Sequence, residues 1–341
     1  MHDSVEFLYL SQEDVLATGM DMLKIIDTVE EVLGLHDDGK VNLPSKVILD
    51  LGERERGRIN AMPAYVGGKF EICGIKWIAG FPPNPTKYGI PRAHALIVLN
   101  DSEKGVPLAI MDGTYISAMR TGAVTGVGAK YLANPDSKVF GIIGCGVQAK
   151  TQIMAIKAAI PSINLFKMYD LQKEASERLS KWASEKFNIE SQAVDSPKEA
   201  VEGSDIIVTA TVADEPIVKE SWLKEGSLFT HVGSYCEEEE DVIFKADKIV
   251  VDLWHEILHR KTPLLAKLYE ASRIDDDKIY ANIGEIIRGK KQGRVNGKEK
   301  IFFSPLGLGS EDVGVACLVY REAKKKGLGI MLKLWDNPEI S

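Results

Sequence analysis

The sequence has few histidines, six in 341 residues, and its four cysteines form no C-x-x-C pair. Cys73, Cys145, Cys236 and Cys317 are scattered, which argues against a disulfide framework and for a reducing cytoplasm. No stretch reaches the roughly 18 uninterrupted apolar residues of a membrane helix, so no membrane partner is expected. The opening Met1-His2-Asp3-Ser4-Val5-Glu6 lacks a basic region followed by an apolar core, so no secretion signal is legible. Positive charge is also in deficit. Lys and Arg number 42 against 50 Asp and Glu, a net charge of -8, where a nucleic-acid partner would call for a basic face. Repeats and low-complexity tracts are missing too. What is present is an ordinary globular balance, 45% hydrophobic and 27% charged, in a chain long enough for about two domains.

The clearest regularity begins near residue 138. Lys138-Val-Phe-Gly-Ile-Ile143 reads as a buried strand, 147–159 as a helix, 165–169 as a second strand and 172–187 as an amphipathic helix. A short strand over 191–194, a short helix over 197–201 and strands over 205–210, 228–232 and 248–251 continue the alternation. This spacing predicts a doubly wound parallel α/β sheet occupying residues 121–304. The first 120 residues predict an α+β arrangement with an antiparallel or mixed sheet. A helix over 13–35 follows Ser11, and strand candidates lie over 44–49, 58–63, 74–79 and 95–99, with the Pro-rich Phe81-Pro-Pro-Asn-Pro85 before the last. A final helix is expected to begin at Asp312 and run to 326, its basic end matching the helix dipole. Residues 305–341 are grouped with 1–120.

Gly144-Cys-Gly146-Val-Gln-Ala149 fits G-x-G-x-x-A between a predicted strand and helix. Such glycines permit a tight turn and let backbone approach a pyrophosphate at a helix N-terminus. Asp170 ends the next strand; a carboxylate there accepts from ribose hydroxyls and repels a 2′-phosphate, favouring NAD over NADP. Lys173 close by leaves NADP open, and a glycine turn that binds no nucleotide is the bland alternative. Cys145 reads as a small loop residue, not a redox thiol. His255-Glu-Ile-Leu-His259 matches the H-E-x-x-H of zinc proteases. However, His259 is the last histidine, and the motif follows the strand over 248–251, where a short connection is expected. We read it as coincidence and expect no metal.

Several segments together resemble the ornithine cyclodeaminase/μ-crystallin family: Met62-Pro63, Gly74-Ile-Lys76, Phe81 to Asn84, Ala118-Met-Arg-Thr-Gly-Ala123, Gly144 to Ala149, Thr209-Ala-Thr211 with Glu215-Pro216, and Gly307-Leu-Gly-Ser-Glu-Asp312. The resemblance runs from about residue 8 to 335. It implies a Rossmann domain (121–304) inserted in a substrate-binding and dimerisation domain (1–120 plus 305–341), and hence a homodimer. The implied activities include ornithine cyclodeamination, alanine dehydrogenation, reduction of cyclic imino acids such as pyrroline-2-carboxylate, and opine-type chemistry; some members bind thyroid hormone.

Carried over by motif, the resemblance places Lys46, Lys76 and Arg120 around a substrate carboxylate, with Asp312 near the substrate. The physics agrees, because a carboxylate leaving water needs charge-assisted donors. Lys76 lies in an apolar strand segment, where a buried lysine demands a partner and can carry a lowered pKa suited to proton transfer. The nucleotide side would comprise Thr121, Gly144, Gly146, Val147, Gln148, Asp170, Thr209, Ala210, Thr211 and Gly233. Asn60 stands where cyclising members carry a glutamate, and Tyr235 where they carry an aspartate. Two carboxylates suited to a diamine are thus missing; the run from Glu237 to Glu240 just beyond could compensate, but such a run is more often a solvated face. The expected function is therefore NAD(P)-dependent hydride transfer at the C–N centre of an α-amino or α-imino acid, as a dehydrogenase or cyclic imine reductase. Tyr235, or a water held by Asn60, is a candidate proton donor, and a packing aromatic is the plainer role for Tyr235. The rivals are an ornithine cyclodeaminase and a non-enzymatic hormone- or NADP-binding protein of the μ-crystallin kind. For Asp312, capping the last helix is the plainer role.

Overall fold

The computed structural model describes residues 4–51, 57–213, 215–233 and 235–339. Met1-His2-Asp3, read above for a secretion signal, and Ser234, between Gly233 and Tyr235, lie outside them. The chain divides into two compact units, Met1–Arg120 with Leu308–Ser341, and Thr121–Gly307. Among the described residues no helix is long and apolar enough to cross a membrane.

The first unit opens with β1 (Val5–Leu10), α1 (Gln12–Ala17) and α2 (Met22–Asp37). The single helix expected over 13–35 is therefore two helices, and β1 precedes them. Ser11 caps α1 through a reciprocal pair with Asp14 (3.2 and 3.0 Å). The chain then turns at Gly19 (φ +69°), a left-handed conformation suited to glycine, and Asp21 caps α2 by accepting from the Lys24 N–H at 2.9 Å. Next come β2 (Val41–Asn42), β3 (Val47–Asp50), β4 (Arg58–Val66), β5 (Ile72–Gly80), α3 (Asn84–Lys87), β6 (Ala93–Asp101), β7 (Pro107–Asp112) and α4 (Thr114–Leu132), within which the boundary falls.

The second unit continues with β8 (Val139–Ile143), α5 (Val147–Ala159), β9 (Leu165–Tyr169), α6 (Lys173–Phe187), β10 (Glu190–Ala193), α7 (Pro197–Val201), β11 (Ile206–Thr209), β12 (Leu228–His231), α8 (Glu240–Phe244), β13 (Lys248–Val251), α9 (Trp254–Arg260), α10 (Leu264–Glu270), β14 (Ala281–Asn282), α11 (Ile283–Ile287) and β15 (Ile301–Ser304). All its paired strands are parallel, in the order β10-β9-β8-β11-β12-β15-β13-β14. The order reverses between β8 and β11, the switch point where open α/β sheets bind ligands beyond the strand ends. β15, which the sequence pattern did not single out, inserts between β12 and β13. The inner strands are apolar and buried, from Phe140, Ile142 and Ile143 to Phe302 and Phe303, as a sheet covered on both faces requires, while the edge strand β10 is polar and part-exposed.

The chain returns to the first unit with α12 (Gly309–Lys326) and β16 (Ile330–Trp335). Its mixed sheet has the order β16-β1-β7-β6-β5-β4-β2, with β3 also on β4. β1 and β7 are parallel and the remaining pairs antiparallel. Helix α12 packs on β4, β5 and β6 and against α2. Period-2 alternation sends Ile72 and Lys76 of β5 to the buried face, while Trp77 stays exposed.

Candidate active site

In the second unit, β8 ends at Ile143 and the backbone turns sharply at Gly144 (φ +93°). A Cβ there would lie 2.7 Å from the Ala210 carbonyl oxygen and 2.9 Å from Thr211 Cγ2, so the turn tolerates only glycine. Gly146 is the N-cap of α5; it faces open space and offers no side chain to the first turn, where Val147 is exposed. The helix thus presents uncapped N–H donors, the arrangement that receives a pyrophosphate. Asp170 sits beside this loop: Oδ2 accepts from Cys145 N–H at 2.7 Å and Oδ1 from Gln172 N–H at 2.9 Å. A carboxylate has lone pairs left after two such bonds, so it can still take ribose hydroxyls. Burial and the Asp170 charge push the Cys145 thiol up to about 12, so it stays protonated at neutral pH. Lys173 is turned to Asp195 at 2.7 Å. Gln148 is half-buried, and Thr121 opens the unit from within α4, its carbonyl accepting from Gln152 at 3.5 Å. Thr209 is buried at the end of β11, and Ala210 N–H bonds the Ile143 carbonyl at 2.9 Å.

The first unit holds a compact charged cluster. Lys76 of β5 is 1% exposed, with Nζ 2.5 Å from Asp312 Oδ2 and 3.0 Å from Ser117 Oγ. Arg120 of α4 donates from Nε to Asp312 Oδ1 and from Nη1 to Glu311 Oε2, both at 3.0 Å. Burial lowers the Lys76 pKa most and the Arg120 charge adds to it; Asp312 and Glu311 oppose them, leaving it at about 8. Arg120 feels burial in the same direction, but the two carboxylates outweigh it and raise its pKa. The expected cationic seat is therefore charge-balanced by two acids. Asp312 does not begin the last helix. Leu308 is the N-cap, Glu311 Oε2 accepts the Leu308 N–H at 3.1 Å, and Asp312 stands in the first turn facing inward to both cations. Ser117 and Glu311 were missed by the sequence reading, although one turn before Arg120 and one residue before Asp312 are the places to look.

The remaining predicted residues divide between the units. Asn60 on β4 shares the face of Lys76, because Asn60 pairs with Ile78 and Met62 with Lys76; its Oδ1 is buried without a hydrogen-bond partner. Lys46 stands half-buried one residue before β3. Gly233 and Tyr235 lie in the other unit, half-buried on the loop after β12. The Glu237 to Glu240 run is not a solvated face. Glu237 and Glu238 are buried around His231, whose Nε2 lies 3.1 Å from Glu237 Oε2 and Nδ1 3.3 Å from Glu238 Oε2. Glu239 and Glu240 do reach the surface, toward Lys219 and Arg273. The H-E-x-x-H motif occupies α9, not the short connection expected, with both histidines exposed and Glu256 buried. Among the described residues no group of three or more His, Cys, Asp or Glu side chains could hold a metal ion.

A parallel sheet with a glycine turn and an uncapped helix at its switch point defines a Rossmann-type α/β protein. The chain belongs to the ornithine cyclodeaminase/mu-crystallin family, whose model matches residues 7–327. It is 37% identical over 334 residues to the alanine dehydrogenase of Archaeoglobus fulgidus, covering 97% of this chain and 99% of that one. Its fold matches the Thermococcus litoralis Delta(1)-pyrroline-2-carboxylate reductase, solved in complex with NADH and L-proline, with a TM-score of 0.88, 37% identity and coverage of 95% and 99%. An archaeal alanine dehydrogenase dimer with bound NAD matches equally, with a TM-score of 0.88, 35% identity and coverage of 97% and 100%.

Proposed function

We propose that this protein is an NAD-dependent oxidoreductase that transfers hydride at the C–N centre of an α-amino or α-imino acid. The observation that carries the reading is the buried Lys76–Asp312–Arg120–Glu311 constellation, in a chain whose other unit presents an uncapped glycine loop beside Asp170. The relatives named above, an alanine dehydrogenase and a pyrroline-2-carboxylate reductase with NADH and L-proline, support the substrate class and the cofactor. We assign nucleotide binding to residues 121–307 and substrate binding to 1–120 with 308–341.

The donors fit the group they are to hold. Val147 and Gln148 N–H at the α5 N-terminus receive the pyrophosphate; Asp170 takes the ribose hydroxyls; Thr121, Thr209, Ala210, Thr211 and Gly233 line the remainder of the nucleotide site. When bound, the nicotinamide supplies or accepts the hydride. The chain's own residues bind, orient and move the proton. Lys76 and Arg120 donate to the substrate carboxylate, with Lys46 as a third cation. Because Asp312 and Glu311 already balance the two buried cations, a lone carboxylate on that pair would leave excess negative charge out of water unless the half-buried Lys46 offsets it. A substrate carrying both a carboxylate and a protonated nitrogen keeps the balance, with its nitrogen facing Asp312, and amino and imino acids are such zwitterions. Asn60 Oδ1, a buried acceptor without a partner, takes an N–H of the substrate or of a water. In the reductive direction hydride adds to the imine carbon and a proton to the nitrogen. Lys76, poised near neutrality, is our first assignment for that proton and Tyr235 the second.

A screen at 340 nm tests the reading. NADH and NADPH are offered with pyrroline-2-carboxylate, piperideine-2-carboxylate, and pyruvate with ammonia or amines. Net NADH oxidation with one of these is expected. Ammonia and proline from ornithine, without net change at 340 nm, would make the protein a cyclodeaminase. Inertness toward all of these, with dinucleotide still bound, would favour a binding protein. The unpaired cysteines accord with a cytoplasmic setting, and we propose a homodimer, the state of the archaeal alanine dehydrogenase.

A further inference from the structure

At the C-terminal ends of β11 and β12, unit 2 buries a charged group to which the chemistry above gives no role. His231 is 1% exposed and in register with Thr209 of the neighbouring strand. Its imidazole lies between the carboxylates of Glu237 and Glu238 in ion-pair contacts that lack hydrogen-bond alignment. The better-aligned bonds of Glu237 run elsewhere. Its Oε1 accepts both the Thr211 N–H, at 2.7 Å, and the Thr211 hydroxyl, at 2.5 Å. Its main-chain carbonyl accepts from Ile217 N–H at 2.8 Å and from Val218 N–H at 3.0 Å. One residue therefore ties the segment after β11 at both ends. Thr211 in turn lies against the glycine turn, with its Cγ2 2.9 Å from where a Cβ of Gly144 would stand.

We propose that Glu237, held in place by His231 and Glu238, is a positioning residue for the dinucleotide, fixing Thr211 and through it the glycine turn in the nucleotide-binding shape before the nucleotide arrives. The proposal rests on the reading of unit 2 as an NAD(H) site.

The charges explain why this device needs a histidine. A carboxylate buried without a cation is strongly disfavoured, and its protonation would leave a weaker acceptor for Thr211. Burial alone would push His231 down, but Glu238 and Glu237 outweigh it and lift it to about 10. Burial likewise opposes the charge on Glu237, and His231 with the two Thr211 bonds overrides it, holding its pKa below the ordinary value. The acceptor is thus ionised and its orientation is set before binding, which removes an ordering cost from the binding step.

The experiment measures NADH binding by fluorescence titration without substrate, on the full chain and on Thr211→Val, Glu237→Gln and Glu237→Ala, with a melting curve for each. Thr211→Val keeps the side-chain shape and removes only the hydroxyl, with its bond to Glu237 and the one it accepts from Ala213 N–H at 3.1 Å, so it stays informative should the alanine variant fail to fold. The expected result is a Kd for NADH about tenfold higher in Thr211→Val with little change in melting temperature. Glu237→Ala should lose more, and Glu237→Gln, which keeps an acceptor for Thr211, should recover part of the loss. In turnover, KM for NADH should rise by more than kcat falls. Wild-type NADH affinity in both Thr211→Val and Glu237→Gln would overturn the proposal, as would a loss confined to kcat or to melting temperature. No NADH binding by the wild-type protein would instead overturn the nucleotide reading, and the proposal with it.

Discussion

Lys76 has 1% of its surface exposed, yet carries an ammonium, because Asp312 and Ser117 stand within hydrogen-bond reach. Burial and Arg120 bring its pKa from 10.5 to about 8, which gives activity and stability opposite slopes with pH. Between those values the unfolded chain binds a proton that the native chain has released, so native stability rises with pH across the window. Attraction for a substrate carboxylate falls in the same window. The pH profile of kcat/KM should therefore decline above about pH 8 while the melting temperature does not, and a flat profile to pH 10 would remove Lys76 from carboxylate binding. Lys76→Met should lower turnover by roughly 10²–10³-fold and leave the Kd for NADH nearly unchanged; loss of both would mark a structural lysine. Asp170→Ala should weaken NADH about tenfold or more and narrow its preference over NADPH, and an unchanged NADH/NADPH ratio would refute that role. Legibility at this scale followed distance along the chain. Gly144, Gly146 and Asp170 act within one strand–helix–strand stretch, so their pattern could be read directly. Lys76 could be read as buried, but not as neutralised, because its partner lies 236 positions away. Glu237 was misread because its burial depends on His231 and Thr211, which a run of four acids does not reveal.

Among the elements, the strands from β8 to β13 and the helices α5 to α7 were legible because a sheet covered on both faces writes mostly apolar runs between helices, whereas α8 was hidden in the run of acids. The first unit was less so. The apolar period continues across Gly19 and Asp21 and hides the break between α1 and α2. α4 is buried on most of its sides, so it shows almost no amphipathic stripe. The junction of α12 with α2 can be tested directly. A Cβ on Gly314 would stand 2.5 Å from Val32 Cγ2, and a β-branched side chain in a helix has little rotamer freedom with which to yield. Gly314→Ala gains up to about 1 kcal/mol of helix propensity but overpacks the contact at about 1–3 kcal/mol. The clash should win, lowering the melting temperature by a few degrees. A rise would show that α2 moves away at little cost.

For the whole molecule, the mixed sheet leaves several large apolar side chains exposed, and clustered exposed apolar residues mark interaction surfaces. Trp77 and Leu96 are cross-strand partners on the face opposite Lys76, 45% and 49% exposed. At one edge β16 exposes Ile330, Met331, Leu332 and Leu334, and β3 exposes Val47, Ile48 and Leu49 where it pairs with β4. Edge strands left open in this way invite pairing with another chain; the charges these two strands carry are Lys333 and Asp50. A second copy of the chain is the occupant we propose, which would cover the same patch on both partners in an isologous contact. Light scattering after gel filtration should give twice the chain mass. Trp77→Glu combined with Leu96→Glu places two carboxylates directly opposite each other on that face, where like charges repel and neither can be buried unpaired. That variant should elute as a monomer with its NADH affinity retained, because Gly144, Asp170 and Glu237 all belong to the other unit. A wild-type protein that is monomeric at micromolar concentration would rule the homodimer out. A double variant that stays dimeric would move the contact from the face of the sheet to its edges, where charged substitutions at Ile330 and Leu332 would be the next to break it.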